Sequence, residues 1–202
     1  SDQNIVQIYN AYTDNWTVGT TKTGTASAGL RGGIYQNKIV VACGFNQLLG
    51  GQIDEAHLGT IDAANPTNIT WTTLPNYPGG TAGRLAAGTT FGGTIPLVVF
   101  VGGDPDGLGS TTLDGVWGYD LSQNIWKIGP AKPTAMSNIS NFVGAIFNDS
   151  LYLVSVSGYD GAGLSSVNEW LNMGSADTLL LGIKDLANQN KNSLIAYPNP
   201  TT

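Results

Sequence analysis

The chain has 202 residues but one cysteine, one histidine and only eight lysines and arginines. Each scarcity removes a class of function. A lone Cys43 forbids an internal disulfide, and within "IVVACGF" it reads as a small buried apolar residue. One histidine and one cysteine are too few for the converging ligands a catalytic metal centre wants. Serine-histidine catalysis would have to use His57, which reads as a solvated loop residue, and no serine stands at a sharp strand-to-helix elbow. Eight scattered cations give no footprint for a phosphate backbone, so nucleic acid is not an expected partner. No run of about 18 apolar residues occurs, so no membrane span is expected. The opening "SDQNIV" lacks the charged start and apolar core of a signal peptide, which places any export signal upstream or already removed.

What is abundant points to strands and turns. Glycine is plentiful at 28, charged residues make up 11%, and the formal net charge is −6, a balance usual in β-rich domains. Trp16, Trp71 and Trp126 recur at intervals of 55 residues, a period in the range of propeller blades. "VQIYNAYTDNW" and "VWGYDLSQNIW" share the spacing Val, Tyr, Trp. "KIVVACGF", "PLVVFVGGD" and "SLYLVSVSGYD" are β-branched runs ending at glycine, each preceded by an apolar segment across a turn of Gly, Asn, Asp or Ser. The order per repeat is strand, turn, strand, variable loop, strand, Asx-rich turn, strand. Such a thin sheet buries both faces only when neighbours stack on it, hence the continuous apolar runs.

These segments resemble kelch repeats of β-propellers. Arg84, Gly102, Gly103, Tyr119 and Trp126 match the kelch pattern throughout. Elsewhere it is degenerate: Cys43-Gly44 and Ser157-Gly158 replace the glycine pair, Ile61 stands near the tyrosine position before Trp71, and Trp170 aligns with Tyr119. The resemblance implies an all-β fold of kelch-type blades with four antiparallel strands each. Residues 4–20 supply two outer strands, 28–75 and 84–130 two full blades, and 140–173 at least three strands of another. Closed propellers hold about four to eight blades. Roughly three and a half imply an incomplete ring or part of a larger propeller, completed by further blades or by a second copy.

Blades are expected over residues 1–186, with "DTLLLGIKDL" as a last strand, followed by a polar linker over 187–193. Residues 194–202, "LIAYPNPTT", resemble the start of the C-terminal sorting domain of the type IX secretion system of Bacteroidetes, on Tyr197, Pro198, Asn199 and Pro200. That resemblance implies secretion machinery as a partner and an extracellular or outer-membrane-surface location. "Asp149-Ser150-Leu151" and "Asp177-Thr178-Leu179" resemble the O-glycosylation triplet of the same phylum.

Ligand-binding candidates lie on the loops after the second strands, where propeller ligands usually meet one rim. "GGDPDGLGSTTLDG" carries Asp104, Asp106 and Asp114, and "GYDGAGLSS" repeats Asp160. Hard oxygen ligands at Asp104 and Asp106 on a flexible loop suit Ca²⁺, although Asp-Gly is equally turn chemistry and no other cofactor is expected. Arg84 either points into a central channel to meet a carboxylate or glycan or bonds blades together. Trp117, off the 55-residue register, either packs between blades or offers a flat face to sugar. No catalytic residue is assigned, since kelch-type copper-radical oxidases need paired histidines and a Cys-linked tyrosine. The expected role is binding of glycan or protein; the rival roles are part of an extracellular carbohydrate-active enzyme with catalytic residues elsewhere, or a structural surface or filament protein.

Overall fold

The computed structural model describes residues 2–89, 96–139, 141–148 and 150–175, and every regular element among them is a β-strand. β1 (Val6–Asn10) and β2 (Asn15–Gly19) form a hairpin. A meander follows of β3 (Arg31–Tyr35), β4 (Lys38–Ala42) and, past a small hairpin of β5 (Phe45–Asn46) and β6 (Gly51–Gln52), β7 (Ala56–Ile61) and β8 (Ile69–Thr73). The next sheet repeats the plan with β9 (Ala86–Thr89), β10 (Leu97–Val101), β11 (Val116–Asp120) and β12 (Ile125–Ile128). The last contains β13 (Asn141–Phe147), β14 (Ser150–Tyr159) and β15 (Leu164–Ser175). All pairings are antiparallel between sequential neighbours, in the orders β3-β4-β7-β8, β9-β10-β11-β12 and β13-β14-β15. The protein is therefore an all-β chain of serial antiparallel sheets, with boundaries where the sequence pattern changes.

Successive sheets adjoin through their first strands: β3 lies against β9 and β10, and β9 against β13. This explains the apolar runs. All five residues of β10, "LVVFV", are buried, because each face of its sheet meets a neighbour. Val40, Ala42, Leu85, Val98, Phe100 and Tyr119 belong to one core cluster that spans the two four-stranded sheets.

The ends of the second strands show why glycine recurs there. Cys43 and Gly44 have φ of 64° and 112°, Gly102 and Gly103 68° and 119°, and Ser157 and Gly158 57° and 155°. Two consecutive left-handed residues swing the chain outward, so that Gly44 N–H reaches the carbonyl of Ala82 and Gly103 N–H that of Met136, each at 2.9 Å. A Cβ on Gly102 would lie 2.2 Å from the Met136 oxygen, so there only glycine fits.

The tryptophans occupy one register. Trp16 stands opposite Tyr9, Trp71 opposite Gly59 and Trp126 opposite Tyr119. Gly59, and not Ile61, therefore holds the tyrosine position of the second sheet. The longer turn after Ile61 displaces the apparent match, and a Cβ on Gly59 would meet the Trp71 ring at 2.8 Å. In the last sheet Leu171, opposite Leu153, takes the place that Tyr119 takes opposite Val98, and Trp170 is one residue off. A register shift between Val156 and Gly158 lies between the loop and this pair and moves it by one residue.

The indoles also tie sheets together. Trp71 Nε1 donates to the Thr20 carbonyl at 3.1 Å and Trp126 Nε1 to the Pro75 carbonyl at 2.8 Å, each acceptor 51 residues back on the preceding connection. Trp16 is 62% exposed. Trp126→Phe keeps the apolar ring and removes this bond, so urea unfolding should report a loss of about 1 kcal/mol; an unchanged midpoint would show that the indole N–H contributes nothing to the junction.

Candidate functional site: the loop rim

Three connections carry equivalent backbone bonds at positions 55 residues apart. Lys22 N–H donates to Asn4, Tyr77 N–H to Asp54 and Lys132 N–H to Asp114, at 2.9, 2.7 and 2.8 Å. Isolated bridges Ala28–Phe45, Gly83–Asp104 and Ser137–Tyr159 repeat in the same manner. These bonds place the loops after β4, β10 and β14 on one end of the sheets, beside the connections that lead into the next sheet. The loops touch. A Cβ on Gly107 would meet Gln52 Nε2 at 2.9 Å, one on Gly109 the Tyr159 ring at 3.2 Å, and one on Gly161 the Ser110 carbonyl at 3.4 Å.

Arg84 sits at this convergence with φ of 53°. Its Nη1 donates to Asp104 Oδ2 at 2.9 Å, and its carbonyl accepts Asn138 N–H at 3.0 Å. The carboxylate Arg84 meets is thus that of its own sheet, while 42% of its side chain stays exposed. Asp104 is fully buried, and its Oδ1 accepts the amides of Asp106 and Gly107 at 3.1 and 2.7 Å. Burial pushes its carboxyl upward and Asp106 adds to that, against the pull of the Gly107 amide and Arg84.

Asp106 is held the same way. Its Oδ1 accepts Leu108 and Gly109 N–H, and its Oδ2 accepts the Ser110 hydroxyl and Thr111 N–H. The Ser110 hydroxyl first, then Asp104 and these amides, hold its carboxyl well below the usual range. Both acids of the calcium expectation therefore direct their oxygens at loop donors and act as turn formers. Asp160 Oδ1 likewise accepts Ala162 and Gly163 N–H, at 3.0 and 3.1 Å. Asp114 is exposed beyond the Arg84 cluster and joins the next connection through its carbonyl. Trp117 is half-buried on β11, with its ring edge-on to Tyr77 at 6.4 Å; packing, not display, is what it does in the described residues.

Gln52 and Tyr159 belong to the rim and carry no signal in the sequence, since only their neighbours across the loops reveal them. His57 is a correction. It lies on β7 at 2% exposure, because the loop before it ends at Glu55. Its Nε2 is 3.3 Å from Glu55 Oε2, and Nδ1 has no partner among the described residues. The Thr25 hydroxyl and amide bond the same carboxylate. A shallow, solvent-open pocket lies between Lys22, Ser27, Cys43, Glu55 and His57. Burial pushes the Cys43 thiol up to about 12, so it offers no thiolate nucleophile near neutral pH.

Burial, then Lys22, hold the His57 ring below its ordinary 6.5, against Glu55. The unfolded chain thus takes up a proton near pH 6.5 that the folded chain refuses, and stability falls as pH drops below that value, by at most about 1.4 kcal/mol per pH unit. Glu55 is also held low: its burial acts upward, but Thr25 and His57 outweigh it, which extends the loss to lower pH. Urea midpoints from pH 8 to 5 check this, and His57→Gln should flatten the segment near 6.5. An equal decline in that variant would place the titration elsewhere.

No protein-family model matches the chain, and no curated protein does. Among solved structures, one titled "Structure of YjhT" superposes with a TM-score of 0.62 at 13% identity, over 83% of this chain and 49% of that one. The chain spans about half the length of that protein. At this identity the likeness concerns the fold alone, and the class it supports is that already described, an all-β protein of serial antiparallel sheets.

Proposed function

We propose that the chain is a segment of a kelch-type β-propeller, secreted or displayed at the outer surface, that works by binding through its loop rim and not by catalysis. The carrying observation is the contrast between a repeated scaffold and a variable rim. The same bonds at the ends of the sheets recur every 50 to 60 residues, whereas the loops they position differ in length and side chains. Adjoining first strands favour a radial arrangement of the sheets, with further blades or a second copy completing the ring. The export reading rests on the resemblance at Tyr197 to Pro200, which lies outside the described residues, as do residues 187–193, Asp149 and Asp177–Leu179.

The test is to immobilise the intact protein and probe it with a glycan array and with proteins from the cell exterior. A saturable ligand weakened by Asp114→Ala or Asp160→Ala, both exposed rim residues, is the expected result. Absence of any ligand together with ordered filaments would favour the structural role instead.

A further inference from the structure

On that reading of the rim as the binding face, we infer that its ligand is a protein segment presenting apolar side chains flanked by lysine or arginine. The observation is where the exposed leucines stand. Leu48 is 96% exposed and Leu49 70%, at the tip between β5 and β6; Leu108 is 83% exposed on the loop after β10; Leu164 is 94% exposed just past the loop after β14. Each loop of the rim therefore raises a leucine away from the core. The loops that carry them touch through Gln52 and Gly107 and through Gly109, Tyr159 and Gly161, and Gly109 also adjoins Arg84. Scattered single apolar residues are ordinary on a surface, but exposed leucines on two adjoining loops and at the strand start beside the third mark an interaction face.

Charge selects the partner. Asp106, Asp114 and Asp160 are exposed on the same loops, Asp54 is half-buried beside them, and the ordering of Asp106 by four donors keeps it ionised. Against them stand Arg84, already engaged by Asp104, and a further cation, Arg31, exposed opposite Ala42 where the loop after β4 begins. The rim is thus apolar at its tips and anionic around them, which favours a cationic, apolar partner and disfavours an anionic membrane. Sugar recognition would instead call for exposed aromatic planes. The rim tips are branched aliphatic groups, while the rim aromatics Phe45 and Tyr159 are at most about a third exposed and the nearby Trp117 packs inward on Tyr77.

The experiment pans a displayed library of random peptides against the full chain. Enriched peptides should combine apolar residues with Lys or Arg and weaken as salt rises. The variant Leu48→Ser, Leu49→Ser, Leu108→Ser, Leu164→Ser should bind them about tenfold more weakly or worse while melting normally, because none of the four is in the core. Three results would overturn the inference: no enriched peptide or an acidic consensus; peptides that ignore the leucine changes but respond to Asp160→Ala, which would leave rim binding itself standing; or a leucine-dependent signal that appears only as self-association or as adsorption to phosphatidylcholine-phosphatidylglycerol vesicles.

Discussion

Phe100→Ala should lower the free energy of unfolding by about 3–5 kcal/mol. Phe100 lies in β10 with no exposure at all, and its ring meets Trp126 at 5.6 Å and Tyr77 at 6.1 Å, both edge-on. Tyr77 comes from the connection before the sheet, so the ring joins two units and its removal opens a void between them. The strands around it are fixed by ladders on both sides and have little freedom to collapse into that void. Against a typical total of about 5–15 kcal/mol, such a loss would populate the unfolded state measurably. Phe100→Leu, which retains most of the volume, should cost clearly less. Urea unfolding followed by tryptophan fluorescence checks both, and a loss below about 1 kcal/mol for the alanine variant would mean that the ring is not enclosed.

Lys132→Met should cost about 3–5 kcal/mol for a different reason. The Lys132 ammonium contacts Glu169 Oε2 and donates to Ser155 Oγ at 3.2 Å, and the two charged side chains are 4% and 7% exposed. Removing the cation leaves the Glu169 carboxylate buried without its counter-charge, and its desolvation is then uncompensated. The double variant Lys132→Met, Glu169→Leu should recover most of the stability, because neither charge remains. If the double variant were as unstable as the single one, packing and not charge would be the cause.

These two residues also show how much of the molecule was legible. Phe100 could be placed in the core from "LVVFV" alone, since a β-branched run closed by two glycines has no face left for water. Lys132 could not. Lys22, Tyr77 and Lys132 hold one structural position at the 55-residue period, and their backbone bonds are the same, yet an aromatic stands in the middle copy between two lysines. Each answers what the next sheet presents. Lys22 lies near Glu55 and His57, Tyr77 meets Phe100, Trp117 and Trp126, and Lys132 meets Ser155 and Glu169. A repeat search by residue type passes over such a position, because the tyrosine of the middle copy interrupts the lysines while the geometry is kept in all three.

The rim was half legible in the same sense. Its loops follow from the glycine ends of β4, β10 and β14, and Asp104 and Asp106 could be picked out as charged loop residues and Arg84, separately, as a channel or bridging residue. That Arg84 and Asp104 would bond each other, that Asp106 would turn inward on Ser110, and that Trp117 would pack on Tyr77 depended on which loop lies beside which. His57 illustrates the limit, for a two-residue difference in where a loop ends decides between solvent and a ladder.

The amino-acid sequence by itself determined the period, the strand-turn-strand order, the left-handed closing pairs and the apolar strands, because each depends on neighbours a few residues away and on the backbone freedom of glycine. Only the tertiary structure decided the partners across strands, sheets and loops: Gly59 under Trp71, Leu171 in place of Trp170, the buried Lys132–Glu169 pair and the meeting of loops beside Arg84. Those contacts link residues 12 to 55 positions apart, and small insertions or bulges shift them without altering any local pattern.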